Sequence, residues 1–166
     1  MIRTTSGLMA LSLASGIACM LANSANAQLV SNKDLSLPMA VTMAQTAIAT
    51  CASQGYRVSA NVVGRSGEVI VAMRGDDTGP HTLENSMKKA YTARAQRRPS
   101  GEFAKTLEGN FTAGALHLTN IVPAQGGLPI KVGEETIGAA AISGSPMGND
   151  TVCTQAGLDK VKDMLK

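Results

Sequence analysis

Val58-Ser59-Ala60-Asn61-Val62-Val63, then Gly64-Arg65-Ser66-Gly67, then the run from Glu68 to Arg74, is the stretch that decides the fold class. Its first six residues alternate as a half-buried strand does, the glycines bracket a turn, and the last run returns as the hairpin partner. A second hairpin lies towards the C-terminus. Gly126-Gly127 turns into a strand at Leu128-Pro129-Ile130-Lys131-Val132, Gly133-Glu134-Glu135 turns again, and Thr136 to Ser143 comes back. The small residues of that last run, Gly138 among them, imply that another element packs closely on it.

Helical patterns surround both hairpins. Ser36-Leu37-Pro38 opens the first, with Ser36 as cap and Pro tolerated in the first turn. Ala40, Ala44, Ala47, Ile48 and Cys51 form its stripe, and Gly55 ends it. Between the hairpins a helix is expected from a Thr82 cap to about Arg97. Glu84 in its first turn and Arg94, Arg97 and Arg98 at its end suit the helix dipole. Pro99 breaks it, and Ser100 is expected to cap a short third helix reaching Leu107. Residues 109–125 carry no clear period. Asp150 opens a last helix with Val152, Ala156, Leu158, Val161 and Leu165 as its apolar positions. The order α-β-β-α-α-β-β-α predicts an α+β fold, a central antiparallel sheet of two hairpins covered by helices.

The N-terminus reads differently. Arg3 is the only charged residue among the first 32, an apolar stretch runs from Leu8 to Leu21, and Ala25-Asn26-Ala27 follows. Charged start, apolar middle and small-residue exit predict a cleaved secretory signal peptide over residues 1–27. The stretch is too short and too rich in Ala and Ser for a spanning helix. No other segment is apolar enough to span, so a periplasmic or secreted protein of one domain, residues 28–166, is expected. Beyond Arg3, 14 basic and 12 acidic residues remain, which excludes the concentrated basic surface of a nucleic-acid binder. Tyr56, Tyr91, Phe103 and Phe111 are the aromatic residues and there is no Trp. The core must therefore be aliphatic, and a base- or sugar-stacking surface is unsupported.

Cys51 and Cys153 are the cysteines outside the signal stretch. An even count in an oxidising compartment points to one disulfide, two separate buried thiols being the alternative. The chain has no G-x-S-x-G elbow, H-E-x-x-H, C-x-x-C, P-loop or G-x-G-x-x-G. Its two histidines are His81 and His117. His81 follows a Gly-Pro turn at the mouth of a helix, where an imidazole is exposed and aimed, as an axial haem ligand is. A solvated loop histidine is the competing reading. His117 sits between leucines and is expected to be a partly buried structural residue or a helix-end cap. The basic run at Arg94, Arg97 and Arg98 reads as a solvated helix end, or as an anchor for haem propionates or another anion.

These pieces resemble, in order, the GlcG/HbpS-like family of extracytoplasmic haem-binding proteins, related to the C-terminal domain of PduO-type proteins. The resemblance rests on Cys51-Ala52-Ser53-Gln54-Gly55-Tyr56, Val62-Val63-Gly64-Arg65-Ser66-Gly67, Arg74-Gly75-Asp76 and Lys89-Ala90-Tyr91-Thr92-Ala93. It continues through Gly126-Gly127-Leu128-Pro129-Ile130, Ile137-Gly138-Ala139 to Ser143-Gly144, and Asp150 leading into Ala156-Gly157-Leu158. It covers residues 37 to 165. It implies haem as cofactor, His81, Lys89 and Arg94 as the cofactor-binding residues, His81 as the ligand of haem iron, and a homo-oligomer. The competing function is a small-metabolite-binding enzyme or enzyme accessory of the same fold, using the Gly126-Gly127 turn and the Lys89 region as its pocket. One departure is visible: Gly64 stands where the family usually carries Asp.

Overall fold

The two hairpins meet through their central strands. In the computed structural model, which describes residues 29–107, 111–146 and 148–166, the elements run α1 Leu37–Ser53, β1 Ser59–Val63, β2 Val69–Arg74, α2 Thr82–Gln96 and α3 Ser100–Lys105. They continue with β3 Gly127–Val132, β4 Glu135–Ser143 and α4 Asn149–Val161, the order the sequence predicts. A 3-10 turn at Phe111–His117 fills part of the stretch that had no clear period. The stretch read as a signal peptide lies outside the described residues. Residues 29–31 are exposed and without regular structure, and residues 32–166 form one compact unit. No described helix is long and apolar enough to cross a membrane.

The sheet is antiparallel throughout, in the order β2-β1-β4-β3. β1 and β4 form its centre, paired from Ser59↔Ser143 to Val63↔Ala139. Every residue of β1 is buried, which corrects the half-buried reading. Ala60 and Val62 share one core with Ala40, Met43, Ala44 and Ala47 of α1 and with Ile142 and Val161. Ser59, Asn61 and Val63 lie beneath α2. There Ser59 Oγ is 2.8 Å from Thr82 Oγ1, and Asn61 Nδ2 donates to Leu83 O at 2.9 Å and to Ser86 Oγ at 2.8 Å. Val63 packs with Ala90, Ala93, Ala139 and Ala141. The polar face is thus buried against a helix that supplies its hydrogen-bond partners, which removes the cost of leaving such groups unpaired.

Small residues let the helices approach. A Cβ on Gly127 would sit 2.2 Å from Lys89 O, so the α2 backbone lies directly over β3. A Cβ on Gly157 would sit 2.5 Å from Met43 O, which sets the close packing of α1 on α4. In that layer Cys51 and Cys153 are joined by a disulfide, Cα to Cα 5.6 Å, within the span a bridge requires. The alternative of two separate thiols is resolved.

Two expected caps are not caps. Ser36 does cap α1, accepting from Met39 N. At α2 and α3 the N-caps are His81 and Pro99, without side-chain cap bonds. Thr82 Oγ1 donates instead to Gly79 O at 2.8 Å and meets Ser59, while Ser100 Oγ accepts from Gly127 N at 2.9 Å. Buried groups of the sheet and its flanks take these hydroxyls, leaving none for the helix ends. His117 also departs from expectation: it is exposed, as are its neighbours Leu116 and Leu118, because the 3-10 turn lies on the surface. The turn at Gly64 has its own carboxylate. Glu68 Oε2 accepts from Ser66 N at 2.8 Å, and Glu68 Oε1 lies 2.1 Å from where a Cβ at position 64 would stand. The Glu68 side chain fills the space a side chain at Gly64 would take.

Candidate functional site

The start of α2 is fixed from below. Thr82 N and Oγ1 both donate to Gly79 O, and the hydroxyl is tied to Ser59 of β1. One turn on, Asn85 Nδ2 donates to Ser143 Oγ at 2.9 Å, Ser143 being the β4 partner of Ser59. These bonds hold His81 at the mouth of the helix, exposed, with no side-chain hydrogen bond to any described residue. Its ring leans back on the Gly-Pro turn. A Cβ on Gly79 would stand 2.9 Å from His81 Cε1 and 3.1 Å from Nδ1, so the ring lies close over the glycine.

His81 looks into a cleft of about 560 Å³ between α2, the segment before β3 and the β4–α4 loop. Its walls include Asn85, Lys89, Gln125, Ser145 and Pro146. That volume lies within the usual range for a small-molecule site. A smaller groove of about 400 Å³ that also includes His81 adds Glu84, Lys88 and Val122. Lys88 Nζ is 2.6 Å from Glu84 Oε1, and this bond and its charge hold the Glu84 carboxyl below the usual carboxylate range.

Lys89 lies on the floor of the cleft, and its ammonium is already occupied. Nζ donates to Asp150 Oδ2 at 2.6 Å and to Ile142 O at 3.3 Å, with side-chain exposures of only 5% for Lys89 and 3% for Asp150. Asp150 Oδ1 accepts from Ser145 N at 2.9 Å and from Ser145 Oγ at 2.6 Å. This network clamps α2 to the first turn of α4 and shapes the loop that forms the cleft wall. Asp150 was legible as a helix-opening residue but not as the partner of Lys89. The available signal was the helical spacing of Thr82, Ser86, Lys89 and Ala93, a stripe of small and polar residues in which a lysine must be paired.

Arg94 does not join His81 and Lys89. It lines a separate cavity with Arg65 and Tyr91 near the end of α2. Thirteen residues at 1.5 Å each put it about 20 Å along the axis from His81. His81 and Lys89 share one cleft; Arg94 belongs to another.

The strand order β2-β1-β4-β3 with helices over the sheet defines a fold of the α+β class, and a half-open cleft lies at the start of α2. Within that class the chain belongs to the family described as haem degrading protein HbpS-like, whose family model matches residues 35–159. It is similar to an uncharacterized 15.0 kDa protein from the dhaT-dhaS intergenic region of Citrobacter freundii, with 30% identity over 128 residues, 75% of this chain and 90% of that protein. Among solved structures, HbpS matches with a TM-score of 0.76 and 29% identity over 81% of this chain and 94% of its own. The PduOC:heme complex matches with a TM-score of 0.71 over 75% of this chain and 93% of its own; at 24% identity it speaks for the fold alone.

Proposed function

We propose that this is an exported haem-binding protein whose cleft at the beginning of α2 would hold haem, with the His81 imidazole as the group that would ligate its iron. Membership of a family described by haem chemistry supports the ligand class. The observation that carries the site is His81 itself, an exposed imidazole without a hydrogen-bond partner among the described residues, lying over Gly79 at the edge of the cleft. The surroundings fit the group. Val122, Ala124 and Pro146 offer apolar surface on either side of the imidazole, and Lys88 is the nearby cation for a propionate, although Glu84 competes for it. Haem would supply the iron centre, and His81 would supply a ligand nitrogen. A homo-oligomer forms part of this reading on the strength of the family resemblance.

The test is titration of the chain lacking residues 1–27 with haemin, followed in the Soret region. Wild type is expected to saturate at micromolar haemin. His81→Ala is expected to weaken binding at least tenfold or to shift the Soret maximum, and His117→Ala to do neither. A signal lost in His117→Ala and kept in His81→Ala moves the ligand; no saturable change in wild type ends the haem reading.

Export is the second part of the proposal, supported by the Arg3, Leu8–Leu21 and Ala25-Asn26-Ala27 pattern and by a disulfide of the kind that persists outside the cytosol. Protein recovered from exporting cells is expected to have an intact mass that begins at Gln28. A product that retains residues 1–27 and sediments with membranes refutes it. A second reading, a small polar metabolite in place of haem, is favoured by Asn85, Gln125 and Ser145 in the cleft wall. It gains if haemin fails and a small organic acid protects the cleft.

A further inference from the structure

The other end of α2 carries a second cavity, of about 200 Å³, between the helix and the β1–β2 turn. Arg65, Ser66 and Gly67 of the turn face Tyr91, Arg94 and Ala95 of the helix across it. The volume is below the range that holds a drug-sized molecule. Arg94 is the feature that needs explaining. None of the four ion pairs among the described residues uses it. Its Nε, like those of Arg65 and Arg98, is shielded from solvent with no hydrogen-bond partner among the described residues, and of the three Arg94 and Arg65 line this cavity. A shielded donor without an acceptor costs free energy, and a water or a bound ion is among the partners that satisfy such a group.

The neighbours deepen the imbalance. Burial, then the like charges of Arg97 and Arg65, push the Arg94 pKa below the ordinary arginine value, and Glu68 acts the other way. Arginine remains charged throughout the physiological range. The two acids nearby are engaged elsewhere. Glu135 Oε1 is bound to Arg65 Nη1 at 2.6 Å, and Arg65 Nη2 also donates to Lys33 O. The Glu68 carboxylate is turned onto Ser66 N. Two guanidinium groups line the cavity, Arg94 without an ion-pair partner among the described residues and Arg65 with its Nη atoms engaged but its Nε unpartnered, and Ser66 and Tyr91 line it with them.

We propose that this cavity binds a small oxyanion, a phosphate or a carboxylate, through the Arg94 guanidinium. A planar fork of N–H donors matches two oxygens of such a group, and charge-assisted bonds of this kind are about twice as strong as neutral ones. The site is separate from the His81 cleft, and its test does not depend on haem.

The experiment is calorimetric titration of the folded chain lacking residues 1–27 with inorganic phosphate and, in a second arm, with malonate, both against chloride at equal ionic strength. Saturable heat from at least one of the two anions is expected, and the arm that gives it identifies a phosphate-bearing or a carboxylate-bearing ligand. Arg94→Gln is expected to bind at least tenfold more weakly with an unchanged far-UV spectrum. Arg94→Lys, which keeps the charge and loses the fork, is expected to fall between. Arg57→Gln, whose exposed partner is Asp77, is expected to bind as wild type. Three results overturn the proposal: no heat above chloride for either anion, wild-type affinity in folded Arg94→Gln, or an equal loss in Arg57→Gln.

Discussion

Asp150→Asn is expected to lower the melting temperature by roughly 10–20 °C, a loss of about 3–5 kcal/mol. The size follows from the burial of both partners. Lys89 and Asp150 are almost wholly out of solvent and 2.6 Å apart. An amide at position 150 keeps an oxygen for Ser145 N but turns a donor towards an ammonium that is itself only a donor. Ile142 O, at 3.3 Å, is then the acceptor left to that charge. The double variant Lys89→Met, Asp150→Asn removes the stranded charge and keeps the Ser145 bond, so it is expected to recover most of the loss. Thermal unfolding followed by circular dichroism measures both. If Asp150→Asn melts within about 3 °C of wild type, the pair is not the clamp described here; if the double variant is no better than the single, the cost lies elsewhere than in the unpaired ammonium. The cleft should feel the same change, because the clamp sets the loop from Ser143 to Asp150 that walls it.

Element type was legible because each hairpin announces itself locally. Gly64 to Gly67 and Gly133 to Glu135 are turn sequences between runs of β-branched residues, and both hairpins form. The burial of β1 was not legible, for a physical reason. Ser59 and Asn61 alternate with Ala60 and Val62 in the same way whether the polar face meets water or meets a helix that carries Thr82 and Ser86. Only the tertiary partner distinguishes the two. His117 failed in the opposite direction: its flanking leucines suggested burial, but both are exposed on a surface turn. The Lys89–Asp150 pair joins residues 61 positions apart, and no local pattern states which acid a buried lysine will meet. The separation of Arg94 from His81, by contrast, was available from arithmetic on one helix, since thirteen residues of α-helix span about 20 Å. His81 and Lys89 therefore line one cleft and Arg94 another.

Removal of the Cys51–Cys153 bridge is expected to be of similar or larger size. The bridge spans a sequence separation of 102, and closing a loop of about 100 residues restricts the unfolded chain by up to about 4.7 kcal/mol in the chain-entropy account. For a domain of this length that is a fall in melting temperature of as much as roughly 15–20 °C. Native-state strain would subtract from it, and the close packing around the sulfurs gives the Cys51→Ala, Cys153→Ala variant a small additional packing loss. Both cysteines are wholly buried between α1 and α4, so reductant reaches the sulfurs only when those helices part. Wild type should therefore resist reduction while folded and lose its bridge rapidly in denaturant. Refolding with and without reductant then separates the contribution of the bridge from that of the side chains, because the sequence is unchanged. The same comparison bears on export: a chain lacking residues 1–27 and made in a reducing cytoplasm should melt lower by this amount and recover on oxidation. Oxidised and reduced forms that melt within about 3 °C of each other would remove the bridge from the account of stability, and two labelled thiols in protein taken from an oxidising compartment would remove the bridge itself.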